Sequence, residues 1–160
     1  KIYDAASDAF DCDFCKGGIY NSEIDRSGGD GFDFSGSDVE LKSVNVTDVK
    51  DKSISAGENS KLRLENGRFV RVGVGIAAKD ASNVVGDKIV VEDYTLYAAM
   101  TYQKKPIFGR YSFLSLRNVQ TTGTAPYKSQ IGTELQIDGS YILGSELSVK
   151  DMYSQGIMKK

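Results

Sequence analysis

The chain of 160 residues contains no histidine or tryptophan, and only two prolines and two cysteines. The lack of histidine excludes an imidazole as catalytic acid, base or metal ligand. Two cysteines are too few for a zinc site, which takes four ligands that are mostly cysteine and histidine. The chain also lacks a run of about 18 apolar residues, so no segment is expected to cross a membrane as a helix.

Charged residues are spread unevenly along the chain. Carboxylates outnumber basic residues in residues 1–60, and the reverse holds in residues 61–160. This asymmetry fits either a solvated surface or a charged partner that docks at one end. The basic residues are scattered and form no nucleic-acid-binding motif, so DNA or RNA is not an expected partner. Lys1 stands first and no signal peptide is recognisable, which favours a fragment or a processed chain.

The strongest pattern present is a repeat of about 22 residues, carried by three apolar series. The series are Phe10, Phe32, Ile54, Ile76 and Ala98; Ile19, Leu41 and Leu64; and Ile24, Val46, Phe69 and Val91. A polar series, formed by Asn21, Ser43 and Asn66, keeps the same interval at turn positions. A fixed period of this length predicts stacked structural units.

Within each repeat, apolar and polar residues alternate with a period of two, as in Phe10–Phe14 and Leu62–Glu65. This alternation predicts half-buried strands. Segments rich in Gly, Ser, Asn and Asp, such as 27–30 and 57–60, separate the strands and favour turns. Residues 10–100 contain no long helical pattern. The sequence therefore predicts an all-β fold, a right-handed parallel β-helix of about five coils; a leucine-rich-type solenoid and a sandwich are the alternatives.

On these ladders, residues 7–120 resemble the pectate-lyase-like β-helix proteins. The resemblance implies a fold and does not identify a reaction, because that fold carries lyases, hydrolases, epimerases, adhesins and inert spacers. Histidine-dependent members of the fold are a poor match, since this chain has no histidine.

The regular pattern weakens after Pro106. We expect one domain, with β-helix coils over 1–110 and a last irregular coil plus a C-terminal cap over 111–160. Residues 121–130 are predicted to form a loop. Ser148–Asp151 has the spacing of a capping box and predicts one or two helical turns. Residues 1–9 contain no capping helix, so a preceding domain of the parent protein is expected to cover the first coil.

An acidic ladder on the first two coils is the sharpest candidate site. Its members are Asp8, Asp11, Asp13, Asp30 and Asp33, and Lys52 follows Asp30 at the repeat interval. Alternation predicts that Asp11, Asp13 and Asp33 point outward, because Phe10, Cys12, Phe14, Phe32 and Phe34 need the interior. We expect the clustered Asp side chains to be exposed. They form either a hydrated ladder with Lys52 as counterion or a ligand site.

Asp11 and Asp33 are the candidate calcium ligands, and no other cofactor is predicted. The candidate bases Arg63, Arg71 and Lys79 are expected to lie too far along the axis to meet the acidic ladder.

Three further features are of interest. The series Ser55, Ala77 and Ala99 predicts a smooth outer strip that admits a polysaccharide or is covered by residues 111–160. Most tyrosines lie in 94–153, where they pack a cap or stack on sugars. Cys12 and Cys15 are predicted to be free thiols, with Cys12 filling the core.

Two classes of function remain. The first is a non-catalytic module, which serves as a rigid spacer or polysaccharide-contacting domain at the C-terminal end of a larger bacterial-type surface or envelope protein. The second is a polysaccharide-active lyase or hydrolase that uses the acidic ladder. The missing histidine and the lack of a catalytic motif favour the first class, and with it an extracellular or cell-envelope location.

Overall fold

The repeats form a stack of parallel strands that winds through about six turns, one more than the repeat predicts. A computed structural model of the chain describes residues 1–155 and residue 158. The strands are β1 (Ile2–Ala5), β2 (Phe10–Asp13), β3 (Lys16–Ser27), β4 (Phe32–Ser35), β5 (Asp38–Gly57), β6 (Lys61–Lys79), β7 (Asn83–Glu92), β8 (Tyr97–Tyr102), β9 (Phe113–Thr121), β10 (Tyr127–Gln130), β11 (Glu134–Ile137), β12 (Ser140–Tyr141) and β13 (Gly144–Ser145). A 3₁₀ turn covers Pro106–Phe108, and helix α1 covers Val149–Gln155. The predicted parallel β-solenoid is confirmed.

Each turn of the stack contributes to three faces. Face one is built from residues 16–20, 38–42, 61–65, 83–87, 113–117 and 134–137. Face two is built from residues 2–5, 22–27, 44–49, 67–72, 89–92 and 119–121. Face three is built from residues 10–13, 32–35, 52–57, 74–79, 97–102, 127–130 and 144–145.

Residues with positive φ turn the chain between and within these faces. The polar series Asn21, Ser43 and Asn66 has φ values of 50°, 56° and 59°, as in the left-handed region. Asparagine tolerates this region better than most residues. Asn66 Nδ2 donates to Ser43 Oγ at 3.2 Å, so stacked turn residues bond along the axis as their common interval predicts.

A second corner alternates acidic and basic residues from coil to coil. Its members, all with positive φ, are Asp4, Arg26, Asp48, Arg71 and Asp93. Arg26 Nε lies 2.6 Å from Asp4 Oδ1, and Arg71 Nε lies 2.7 Å from Asp48 Oδ1. Arg71 holds the pKa of Asp48 below its usual range. Alternation places unlike charges next to each other where like charges would repel.

The interior confirms the predicted apolar columns. Phe32 pairs with Ile54 and Ile54 with Ile76, while Val46 pairs with Phe69 and Ile24. All six residues predicted to form the core are at most 2% exposed; they are Phe32, Phe34, Val46, Ile54, Phe69 and Ile76. The rings of Phe32 and Phe34 stack with centroids 6.2 Å apart. These side chains form one continuous core along the axis.

One register prediction is wrong. Ile76 pairs with Ala99 and Ala77 pairs with Met100, so Ala98 does not continue the first series and Ala99 does not continue the outer strip. The connection that leads into β8 is one residue longer than the repeat, which shifts every later position on face three. The outer strip consequently carries Met100, a large apolar residue.

The first coil differs from the prediction at two positions. Phe14 has φ 57° and is 79% exposed, because the chain turns at this residue and the strand alternation ends. Cys12 and Cys15 form a disulfide across that turn, so they are not the free thiols predicted from the sequence. Cys12 still packs against the interior core.

The C-terminal region adds strands before it forms a cap. β9 pairs with β7, and β10 pairs with β8, so only residues 122–126 of the predicted loop 121–130 lie outside strands. β12 pairs with β11 in antiparallel fashion, and α1 begins after Ser148 as the capping box predicts. The boundary at residue 110 stays a prediction. Neither helical segment in 1–155 is long and apolar enough to cross a membrane.

Replacing Phe69 with alanine tests the continuous core. Phe69 is fully buried, so Phe69→Ala leaves a cavity and should lower the free energy of unfolding by about 3–5 kcal/mol. Val85→Ala, at an exposed strand position, should change it by less than about 0.5 kcal/mol. Urea denaturation measures both. Equal, small effects would contradict the assignment of Phe69 to the core.

Candidate functional site

The acidic ladder occupies successive coils, but its members have different environments. Asp11 pairs in register with Asp33, and both Asp11 and Asp13 are exposed. Asp8 Oδ1 accepts a hydrogen bond from the backbone amide of Asp30 at 2.7 Å. Asp30 Oδ1 in turn accepts one from the amide of Lys52 at 2.9 Å. The 22-residue interval therefore places the carboxylates of Asp8 and Asp30 where each accepts a hydrogen bond from the backbone of the next coil.

Asp30 and Lys52 are both buried on the outer side of face three, where Lys52 lies close to Tyr153 of the C-terminal segment. Lys52 Nζ lies 3.0 Å from Asp30 Oδ1 and 2.6 Å from Asp51 Oδ2. The expected exposure of the carboxylates is wrong for Asp30, which is only 1% exposed. Asp51, which the sequence did not single out, is also buried, and supplies the second negative charge to the lysine.

Burial and neighbouring charges both shift the pKa values of Asp30 and Lys52. Burial raises the pKa of Asp30 to about 6, although Lys52 acts in the opposite direction. Burial works to lower the pKa of Lys52, but the charges of Asp30, Tyr153 and Asp51 outweigh it and the pKa is raised. A buried ammonium between two carboxylates stays charged, and one of its partners becomes easier to protonate.

Lys79 joins the same group, contrary to the prediction that it lies too far along the axis. Its Nζ lies 3.6 Å from Asp33 Oδ1 and donates to Ser55 Oγ at 2.6 Å. The side chain crosses a coil over Gly57, where an added Cβ would be 2.9 Å from Lys79 Cε. We call the group formed by Asp30, Asp33, Asp51, Lys52 and Lys79 the ionic cluster.

The other two candidate bases belong to different surfaces. Arg63 NH2 binds Asp38 Oδ1 at 2.9 Å on face one, and Arg71 binds Asp48 at the alternating corner. Neither reaches the acidic ladder, as the sequence predicts. Residues 1–155 and 158 include no group of three or more Asp, Glu, Cys or His that could hold a metal ion. Calcium binding by Asp11 and Asp33 stays a prediction.

The C-terminal helix covers the ionic cluster. Tyr153 of α1 lies with its ring centroid 5.8 Å from Lys52 Nζ and 4.3 Å from Lys104 Nζ. Its hydroxyl lies 2.6 Å from that of the buried Tyr102. Burial raises the pKa of Tyr102 well above its usual value, with a further contribution from Tyr153. These two tyrosines pack the cap, and Asp30, Lys52 and Asp51 of the cluster are at most 3% exposed.

An open groove lies on the outer side of face one, where the sequence did not predict a site. Its volume is about 470 Å³. Val85, Gly86 and Ser115 form a floor of short side chains, and longer charged side chains surround it; these are Glu40, Arg63, Glu65, Asp87 and Arg117. We call this the face-one groove.

Most charges around the face-one groove are already paired. Lys42 Nζ lies 2.9 Å from Glu65 Oε2 and holds the pKa of Glu65 below its usual value. Asn118 Nδ2 donates to Asp87 Oδ1 at 2.7 Å. Tyr20, which lies over Gly18, donates to Glu40 Oε2 at 2.7 Å beside the groove. Hydrogen-bond donors and acceptors therefore surround a floor of short residues in which Val85 supplies the apolar surface.

Sequence periodicity could not have located this groove. The strands that form it pair Glu40 with Arg63, Arg63 with Val85, and Val85 with Ser115. The last of these steps skips 30 residues, because β8 and the segment after it lie between β7 and β9. The depression exists because short residues from two distant segments meet.

Comparison with known proteins gives no relative from which a function could be carried over. No family model, no curated protein and no solved structure matches the chain.

Replacing Lys52 tests whether the ionic cluster depends on charge balance. Lys52→Met leaves two buried carboxylates without their ammonium, and should lower the free energy of unfolding by about 3–5 kcal/mol at pH 7. Lys42→Met, which breaks the exposed pair with Glu65, should cost less than about 1 kcal/mol. Chemical denaturation compares the two. A similar small loss in both variants would show that the cluster is well solvated.

Proposed function

We propose that this chain is a non-catalytic β-solenoid module that contacts a polysaccharide through the face-one groove. The observation that carries the proposal is the groove itself, a floor of short residues with Val85 as its apolar part, surrounded by donors and acceptors. Sugars present an apolar ring face and a rim of hydroxyl groups, which these two kinds of surface complement. The pectate-lyase-like type of solenoid is part of this proposal.

The groove offers binding groups and lacks an obvious catalytic acid. The general acid of a glycoside hydrolase is a carboxyl group whose pKa is raised. Glu65, in contrast, is held ionised by Lys42, and its pKa is lowered. The stack of parallel coils below the groove keeps the side chains at fixed intervals of about 4.8 Å, which suits a rigid spacer or a binding platform.

A location at the cell surface or in the envelope is part of the same proposal. Disulfides persist mainly in oxidising compartments. The Cys12–Cys15 disulfide therefore supports an extracellular or envelope location more than the free thiols expected from the sequence would have done.

Filling the groove tests the proposed function. Val85→Phe places a ring on the floor of the groove and should weaken binding of a glycan identified on an array by about tenfold or more, since the sugar face loses its contact. Val90→Phe makes the same change on the outer side of face two and should leave affinity unchanged. Isothermal titration gives both affinities. Failure of every glycan to bind, or equal affinity in both variants, would reject the groove as the binding surface.

A polysaccharide lyase or hydrolase is the second candidate, favoured by one observation. The pKa of Asp30 is raised to about 6, which suits a general acid or base. The same carboxyl is paired with Lys52 and lies beneath Tyr153, so a substrate does not reach it in this arrangement. The binding module therefore remains the better-supported function.

An activity assay separates the two candidates. The purified chain, incubated with pectate, alginate and other acidic glycans in the presence of Ca²⁺, should release neither unsaturated products nor new reducing ends, because the carboxyl of Asp30, whose pKa is raised, is covered. Ultraviolet absorbance and a reducing-sugar assay measure these products. Turnover that disappears in Asp30→Asn and persists in Asp13→Asn would establish the enzyme instead.

A further inference from the structure

The C-terminal segment packs on an apolar cluster that is separate from the interior core. The cluster lies on the outer side of face three and is centred on Val74, Ala77, Met100 and Tyr102, with Met158 also buried in it. Leu147, Val149, Met152 and Tyr153 of the C-terminal segment pack against it. None of these residues belongs to the interior core. Loss of the C-terminal contacts would consequently leave the column inside the solenoid intact.

A small set of contacts holds this segment in place. α1 has only seven residues, too few for a helix that is stable by itself in water. Its start is stabilised by Ser148, whose Oγ donates to Asp151 Oδ2 at 2.6 Å. Tyr153 provides the polar anchor, with its hydroxyl 2.6 Å from that of Tyr102 and its ring centroid 5.8 Å from Lys52 Nζ and 4.3 Å from Lys104 Nζ.

We propose that residues 146–155 form a strap that opens and closes over the ionic cluster as a unit while the solenoid stays folded. Closing removes Lys52, Asp30 and Asp51 from water; opening exposes them on the outer side of face three. The strap thus controls access to the most highly charged buried group that the structure describes. This inference does not depend on polysaccharide binding at the face-one groove.

Protonation is expected to favour the closed strap. The groups that face Asp30 are Lys52, Asp51, Lys79 and Asp33, with Tyr102 and Tyr153 above them. In the closed state burial raises the pKa of Asp30 from its ordinary value of 3.8 to about 6. Opening admits water and lets the pKa fall back. Closing therefore takes up a proton. The resulting stabilisation of the closed strap is fully present below about pH 4 and is lost as the pH rises through 6.

Hydrogen exchange measured by mass spectrometry tests the strap. The amide of Met152, which donates to the Ser148 carbonyl, should exchange through local opening well before the amides of β5 and β6. After correction for intrinsic exchange, its opening constant should rise about twentyfold between pH 4.5 and pH 7.5. In Asp30→Asn this pH dependence should vanish. Exchange of the strap only together with the strands, or the same pH dependence in Asp30→Asn, would overturn the proposal.

Substitutions at Tyr153 supply the second measurement. Tyr153→Phe keeps the ring and loses the hydroxyl contact, so strap opening should increase about fivefold. Tyr153→Ala should leave the strap largely open while the protection of β5 and β6 is retained. Tyr141→Ala, at a side chain that is 71% exposed, is the matched control and should change neither strap opening nor the protection of β5 and β6. Loss of strand protection in Tyr153→Ala would show that the segment is an integral part of the fold and would reject the strap.

Discussion

Parallel backbone pairing between successive coils is the constraint on which the rest of this structure depends. Because each residue lies on its equivalent in the next coil, similar side chains are brought within about 5 Å of one another. This stacking stabilises columns of apolar side chains, whereas side chains of the same charge would repel one another along a column. The corner that runs from Asp4 to Asp93 satisfies the constraint by alternating aspartate with arginine.

The ionic cluster also avoids a column of like charges, but it does so with lysine side chains from later coils. Asp8 and Asp30 follow one another along the axis, and the next coil places Lys52 at that position. Its ammonium is shared with Asp51, and Lys79 reaches back across a coil to Asp33. Burial of such a group is costly even when it is paired. A location at the surface, without the C-terminal cover, would avoid that cost.

Two sides of one solenoid therefore have opposite character. Face one carries an open groove with a floor of short residues and mostly paired charges around it. Face three carries a buried acid with a raised pKa and is closed by α1. The proposed binding on the first side and the proposed strap on the second involve separate residues, since no residue of the face-one groove belongs to the ionic cluster.

The 22-residue period by itself determined the parallel solenoid, its apolar columns and the polar turn ladder, because local alternation and a fixed repeat specify which side chains point inward. Tertiary structure decided the rest. An extra residue before β8 shifted Ala99 inward, a turn at Phe14 brought Cys12 to Cys15, and a long side chain carried Lys79 to Asp33. The groove and the covered cluster depend on contacts between segments of unequal spacing, and a period in the sequence does not encode such contacts.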